Sequence, residues 1–263
     1  MVPSDLTRLR SWFASYVSGF FTGADELDRV FKLKQMHTER VCITIRRLGK
    51  TLQLSSREML LAEAAALLHD VGRFSQFARY RTFRDKDSIN HGRLGLRVAN
   101  RHGLLSTFSP TERRHLAHAL AYHNAAQLPP IDDTASLFFL KLLRDADKLD
   151  IWRVVIGHYS GRGRTPKAVN EFELSGNGFC SPPVLAALKN GRVVPIDSVR
   201  SVCDAKLLYI SWVYDLNFPI SFRETVRGGY LERLSATIPR LSSDIRSALQ
   251  CASDHAARSA GGR

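Results

Sequence analysis

The sequence predicts an all-α fold on three observations. Apolar residues recur at intervals of three and four along most of the 263 residues, as amphipathic helices require. The segment SPTE at residues 109–112 is typical of a helix start, with an N-cap serine, proline at the first helical position and glutamate three residues after the cap. The composition, 44% apolar and 24% charged, is that of a globular protein and excludes disordered and fibrous classes.

The helices can be placed along the chain from this periodicity. The predicted helices span residues 27–48, 56–70, 89–103, 110–123, 134–156, 198–216 and 225–251. Gly49 is a plausible stop for the first, and the nearly continuous apolar run at 60–68 marks the second as buried. Residues 72–87, rich in arginine and aromatics, are predicted to form an irregular loop. Loops of that length in compact domains are often functional.

The carboxyl-terminal part has a weaker pattern. Residues 157–183 contain several glycines and a Pro-Pro pair and are predicted to be irregular, and the tail from residue 256 is predicted to fray. We expect a helical core domain over residues 1–160 and a helical extension over residues 161–263 that packs on it. A chain of this length can bury a sizeable core without disulfides or structural metal.

Cysteine usage and hydropathy predict a soluble cytoplasmic protein. The four cysteines are scattered and form no C-x-x-C pair, so a disulfide framework is not expected and a reducing compartment is favoured. The amino-terminal residues lack the features of a signal peptide. The longest apolar runs, at residues 62–68 and 137–143, are too short to cross a bilayer, so no membrane partner is expected.

The charge balance favours anionic partners. The formal net charge is +13, from 38 Lys and Arg against 25 Asp and Glu, and the densest basic stretch covers residues 73–101. Nucleotides, nucleic acid and phosphorylated metabolites are the candidates, while a solvated basic face remains the alternative. The oligomeric state is not predicted.

Six residues form a candidate metal-binding set. Each member lies on a helix beside apolar residues, so that imidazoles and carboxylates from five helices face a common interior. The set consists of His37, His69, Asp70, His91, His123 and Asp147. A buried carboxylate needs a partner, and a metal ion is a common one. Four imidazoles with two carboxylates suit Mn, Fe, Zn or similar ions better than Ca or Mg.

The order of these six residues resembles the HD superfamily of metal-dependent phosphohydrolases. The segment LLHDVGR at residues 67–73 is similar to its paired His-Asp motif, and DADKLD at residues 145–150 to its closing aspartate motif. The resemblance covers about residues 30–155. It implies one metal held by His37, His69, Asp70 and Asp147. It also implies that Asp70 bridges to a second metal held by His91 and His123, the two ions being Mn, Fe, Ni or Zn.

The resemblance also implies an activity. Metal-activated water would attack the phosphorus of a nucleotide or another small phosphorylated anion, as a phosphomonoesterase or phosphodiesterase does. Arg73 and Lys148, each close behind a ligand, are candidates to hold phosphate, or else surface cations. Two alternatives remain, an HD-fold protein that binds nucleotides without turnover and a nucleic-acid-binding protein. Among the other residues, we expect His115 and His118 to be exposed, and Asp150 to support the ligands.

Overall fold

The computed structural model describes residues 3–161, 174 and 179–262, and this part of the chain contains helices and no strand. The all-α prediction is therefore confirmed. The helices, in chain order, are α1 (Pro3–Ser18), α2 (Asp25–Thr51), α3 (Ser56–Leu68), α4 (Val71–Tyr80), α5 (His91–Arg101), α6 (Pro110–Tyr122), α7 (Thr134–Tyr159), α8 (Pro182–Lys189), α9 (Val202–Ser211), α10 (Pro219–Arg227), α11 (Tyr230–Ser235) and α12 (Ser243–Ala260).

Serine caps fix the start of the helices that lead to the site. Ser109 accepts a hydrogen bond from the backbone of Glu112, whose carboxylate accepts in return from the Ser109 backbone, so the predicted start of α6 is confirmed. Ser55 and Glu58 form the same capping box at α3. The interior of α3 is buried almost throughout, as its apolar run predicted.

Two predictions in the amino-terminal half are wrong. Gly49 does not end α2, which continues to Thr51; it is buried where a Cβ would lie 2.8 Å from Met59 Cε, so close packing explains the glycine. Residues 72–87 are not a loop throughout, because residues 71–80 form α4. This helix buries Val71, Phe74 and Phe77, whose spacing of three was a helical signal.

The helix boundaries predicted for the carboxyl-terminal part are also wrong. The single helix predicted over residues 225–251 is divided among α10, α11 and α12, and α12 starts at a serine cap, Ser242, beyond Pro239. The tail is helical to Ala260 instead of frayed. Pro182 starts α8 within the segment predicted to be irregular, since proline is favoured in the first turn. Gly163, Gly176 and Gly178, at which irregular structure is predicted, lie outside the described residues.

A disulfide joins Cys180 and Cys203, a pairing that the scattered cysteines did not indicate. It links the residues before α8 to α9. Cys42 and Cys251 are free thiols.

The described residues divide into two compact units, the first running to Asp147 and the second starting at Lys148 within α7. In the first, α2 packs on α3, α4 on α5 and α5 on α6. In the second, α12 packs against α8 and α10, and the buried indole of Trp152 donates a hydrogen bond to the Tyr209 carbonyl. None of the helices in the described ranges has the length and apolar character that a membrane span requires.

Candidate metal centre

The first unit brings all six predicted residues to one place. His37 lies within α2, His69 and Asp70 occupy the junction between α3 and α4, and His91 is the first residue of α5. His123 follows the last residue of α6, and Asp147 lies in α7. Their nitrogen and oxygen atoms form overlapping groups of three in which all candidate ligand atoms lie within 4.8 Å of one another. Five helix segments therefore converge on one centre, as the sequence predicted.

The carboxylate of Asp70 lies between two pairs of histidines. Its Oδ2 is 3.7 Å from Nε2 of both His37 and His69. Its Oδ1 is 3.5 Å from His91 Nε2 and 4.0 Å from His123 Nε2. Asp70 is almost fully buried, so each oxygen has one histidine pair as its neighbour and little contact with solvent.

Hydrogen bonds at Nδ1 set the orientation of three of the imidazoles. Nδ1 of His69 lies 2.7 Å from the Ala66 carbonyl, and Nδ1 of His123 lies 2.9 Å from the Leu120 carbonyl. Nδ1 of His91 lies 2.8 Å from Asp85 Oδ2. A carbonyl or carboxylate oxygen can only accept, so Nδ1 carries the proton in each ring and Nε2 is left with a lone pair. All three lone pairs belong to the nitrogens that face the centre.

These nitrogens fit a metal ion. Nε2 of His91 and Nε2 of His123 are 3.0 Å apart, and Nε2 of His37 and Nε2 of His69 are 3.4 Å apart. Two nitrogens that each bind one ion at about 2.1 Å would enclose angles of about 90° and about 110° at these separations, which are ordinary coordination angles. In addition, Asp147 Oδ1 is buried without a well-formed hydrogen bond, although it lies 3.0 Å from His37 Nε2. The donors present therefore suit a divalent transition metal.

The protonation of the histidines agrees with this arrangement. Burial lowers the pKa of His69, and burial with the neighbouring charges of His91 and His69 lowers the pKa of His123 well below its usual range. Burial, and then the charge of Arg73, lower the pKa of His91 to about 4. These imidazoles are therefore neutral at neutral pH, the form that binds a metal.

The two carboxylates are ionised. Burial alone would raise the pKa of Asp70, but Lys34, His69 and Arg73 outweigh it and hold the pKa well below its ordinary value. For Asp147, contact with His37 and the charge of His69 likewise overcome the effect of burial and lower the pKa. The centre thus combines neutral imidazoles with anionic carboxylates.

Two residues at the site were not predicted from the sequence. Lys34 Nζ is 2.9 Å from Asp70 Oδ2 and its side chain is only 14% exposed. Its spacing of three from His37 on α2 was the signal available, since residues three apart share a helix face. Asp85 accepts the His91 Nδ1–H, and no local pattern indicates that contact. Burial would raise the pKa of Asp85, but His91 and Arg73 lower it to about 2.

The two cations predicted to hold phosphate are buried and engaged with other groups. Arg73 Nη1 donates to the Phe83 carbonyl and to Gln76 Oε1, and lies 3.3 Å from Asp85 Oδ1. Its Nε is 3.4 Å from Asp70 Oδ1. Lys148 Nζ forms an ion pair with Asp215 Oδ2 at 2.7 Å, within the second unit. Neither is a surface cation.

The structure also shows where the histidine and aspartates not predicted to bind metal lie. His115 is buried, contrary to expectation, because its Nδ1 is hydrogen-bonded to Ser136 Oγ at the start of α7. Asp145 and Asp150 are buried in α7, and neither belongs to the groups of candidate ligands among the described residues. Asp147 is therefore the aspartate of this motif that reaches the centre.

Fold and site define a helical protein with a buried His/Asp centre suited to divalent metal. Residues 35–152 match the family model of the HD domain. This match and the His/Asp cluster confirm the resemblance to the HD superfamily over this part of the chain. No curated protein and no solved structure matched the chain in the corresponding comparisons.

Proposed function

We propose that the protein is a divalent-metal-dependent phosphohydrolase that acts on a nucleotide or another small phosphorylated anion. The observation that carries the proposal is the position of Asp70, whose two oxygens each face a different pair of histidine nitrogens. A carboxylate in this position can bridge two ions. His37, His69 and Asp147 would complete one position, and His91 and His123 the other.

The chemistry divides between the ions and the chain. When bound, Mn, Fe, Ni or Zn would supply Lewis acidity and lower the pKa of water, so that a nucleophile is available near neutral pH. The chain holds its six donors on five helix segments, with protons on the outward-facing nitrogens of three imidazoles. This preorganisation keeps the ligands in place without rearrangement during the reaction.

Lys34 is the cation that we assign to the substrate. Its ammonium lies beside Asp70 at the centre, partly exposed, and can turn from the carboxylate to a phosphoryl oxygen. Arg73 has a different role in this proposal, since its hydrogen bonds hold Phe83 and Asp85 next to the ligands. The ion pair of Lys148 with Asp215 gives no support to phosphate binding by that residue.

A basic, exposed face of α5 gives further support to an anionic substrate. Helix α5 contains no acidic residue, and Arg93, Arg97 and Arg101 form an exposed row that begins two residues after His91. Within the described ranges none of the three has an acidic side chain within ion-pair distance. The same row is the observation that favours the nucleic-acid alternative, for which binding should fall steeply as salt rises.

The test is hydrolysis of a panel of phosphoesters by the metal-loaded protein. The panel would contain p-nitrophenyl phosphate, bis-p-nitrophenyl phosphate and common nucleoside mono-, di- and triphosphates, each assayed with Mn, Fe, Ni and Zn. We expect turnover of at least one member that Asp70→Ala lowers by about 10³-fold or more, because removing the bridge affects both positions.

Asp132→Ala is the matched control, because Asp132 is an exposed aspartate on the segment between α6 and α7. It should retain wild-type turnover. If the metal-loaded wild type hydrolyses none of the esters but binds nucleotides, the non-catalytic alternative is correct. Equal loss in both variants would remove the link between turnover and the centre.

A further inference from the structure

Asp85 lies outside the six ligands, yet its carboxylate is contacted by four side chains. It accepts from His91 Nδ1 at 2.8 Å and from Asn124 Nδ2 at 2.7 Å. It also accepts from Gln76 Nε2 at 2.9 Å and lies 3.3 Å from Arg73 Nη1. One carboxylate therefore connects α4, α5 and the residue that follows His123 at the end of α6.

We infer that Asp85 is the positioning residue for the metal position formed by His91, His123 and Asp70, and that this position depends on the folded form of residues 81–90. The inference rests on the proposed function only in taking the centre to bind metal.

Asp85 determines which nitrogen of His91 carries the proton. An ionised carboxylate only accepts, so Asp85 fixes the proton on His91 Nδ1 and leaves Nε2 free to bind. That Nε2 faces His123 Nε2 at 3.0 Å and Asp70 Oδ1 at 3.5 Å. Carboxylates that accept from a metal-binding histidine fix its ring orientation and raise its basicity.

His91 differs from His69 and His123 in what orients its ring. His69 and His123 donate to carbonyls three residues earlier on their own helices, so helix formation by itself orients them. His91 is the first residue of α5 and donates instead to a separate segment. Its orientation therefore depends on where that segment lies.

Helix α4 holds the segment of residues 81–90 near both of its ends. Arg73 donates to the Phe83 carbonyl, and Gln76 donates to the Ile89 carbonyl and contacts Ser88 Oγ. Gln76 is fully buried. Asp85 thus lies on a segment that is fastened to α4, and α4 follows directly from the ligand Asp70.

The test is titration of the chelator-stripped full-length protein with Mn²⁺ by calorimetry, comparing wild type with Asp85→Asn. The amide keeps the shape of the side chain but loses the charge that His91 requires. We expect two ions in the wild type, and in Asp85→Asn one ion with unchanged affinity and a second weakened by about 10- to 100-fold. Asp87→Asn is the control, since Asp87 lies with Asp85 in one 3₁₀ turn (Asp85–Asp87) and pairs with the Arg84 guanidinium. It should bind both ions normally.

A second readout separates positioning from a general loss of structure. In ¹⁵N-histidine spectra of the metal-free protein, His91 should be protonated at Nδ1 in wild type and in Asp87→Asn, with the Nε2 form appearing in Asp85→Asn. Circular dichroism should be unchanged. The inference is overturned if Asp85→Asn binds both ions with wild-type affinity, loses both equally, or keeps the His91 tautomer.

The outcomes also separate this inference from the proposed function. If the wild type binds a single ion, the inference fails while a one-metal hydrolase remains possible. If the wild type binds none, the proposed function fails and the His91 tautomer alone decides the role of Asp85.

Discussion

At the scale of the residue, the ligands and their supporting residues differ in how visible they are in the sequence. His37, His123 and Asp147 could be predicted because each falls on the apolar face of a helix, and the His69–Asp70 pair ends a buried run. Asp85 could not, because it gains its role through contacts with residues up to 39 positions away. Lys34 was missed because a lysine on an amphipathic helix is ordinarily a surface residue.

Lys34 supplies a prediction about substrate. Because a hydrogen bond from a charged donor contributes about 1.5–3 kcal/mol, Lys34→Gln should lower kcat/KM by about 10- to 100-fold on the best substrate of the panel. Its metal content should be unchanged, since Lys34 has no lone pair to offer an ion while protonated. Steady-state kinetics with elemental analysis checks both statements.

Lys32→Gln is the control for this substitution, because Lys32 is exposed on the same helix and its ammonium donates a hydrogen bond to Gln35 Oε1. It should retain wild-type kinetics. Unaltered kcat/KM in Lys34→Gln would show that the ammonium contacts Asp70 and not substrate.

The histidines also predict how stability varies with pH in the metal-free protein. The pKa of His91 is about 4 in the fold against 6.5 when unfolded, so the unfolded chain binds more protons between these values. The contribution of neutral His91 to the free energy of unfolding is therefore full above pH 6.5 and decreases as the pH is lowered toward 4. By pH 5 about 2 kcal/mol of it is lost. His69 and His123 shift in the same direction.

Urea denaturation of the chelator-treated protein at pH 7 and pH 5 measures this loss. His91→Gln cannot take up the proton and should lose less stability over the same interval. Equal stability of the wild type at both pH values would contradict the pKa direction derived from burial.

At the scale of the element, packing of α4 on α5 determines where His91 lies. Gly72 is in the first turn of α4, and a Cβ there would lie 2.3 Å from the His91 carbonyl oxygen and 2.6 Å from Gly95 N. Both are backbone atoms, so the helices would have to separate. The sequence could not show this contact. It predicts a loop at α4 because the glycine and arginines of this segment conceal the helical spacing of Val71, Phe74 and Phe77.

Gly72→Ala should therefore displace α5 and with it His91. We expect a loss of about 1–3 kcal/mol in the free energy of unfolding, as in other overpacked sites, and a weaker second metal ion. Chemical denaturation and Mn²⁺ titration measure the two effects. Gly157→Ala in α7 is the comparison: a Cβ there meets no atom of the described residues within 4 Å, so alanine should be neutral or stabilise by up to about 1 kcal/mol. Normal stability and two normal ions in Gly72→Ala would refute the role of this contact.

At the scale of the whole molecule, the helical class was predictable and the division of the second unit into helices was not. Long amphipathic helices such as α2 and α7 repeat their pattern over many turns, which makes them visible in the sequence. The short helices α8, α10 and α11 have too few turns to show a period, and their ends depend on Pro182, Ser242 and similar local signals. The disulfide of Cys180 with Cys203 likewise required the fold to be known.

The arginine row of α5 predicts an effect of salt on substrate capture. Replacing Arg93, Arg97 and Arg101 with Gln should raise KM about threefold or more at low salt, and the difference should vanish near 0.5 M salt because exposed charges are then screened. A variant with three exposed arginines of the second unit replaced, Arg192, Arg227 and Arg240, removes the same charge. If both triple variants raise KM equally, net charge and not the α5 row is responsible.

The first quantity to measure is the metal content of the protein, purified without added metal and analysed for its elements beside Asp70→Ala. The arrangement of Asp70 between two histidine pairs predicts two equivalents of Mn, Fe, Ni or Zn in the wild type and their loss in the variant. One equivalent would reduce the centre to a single-metal site. No bound metal, even after incubation with Mn²⁺, would contradict the account.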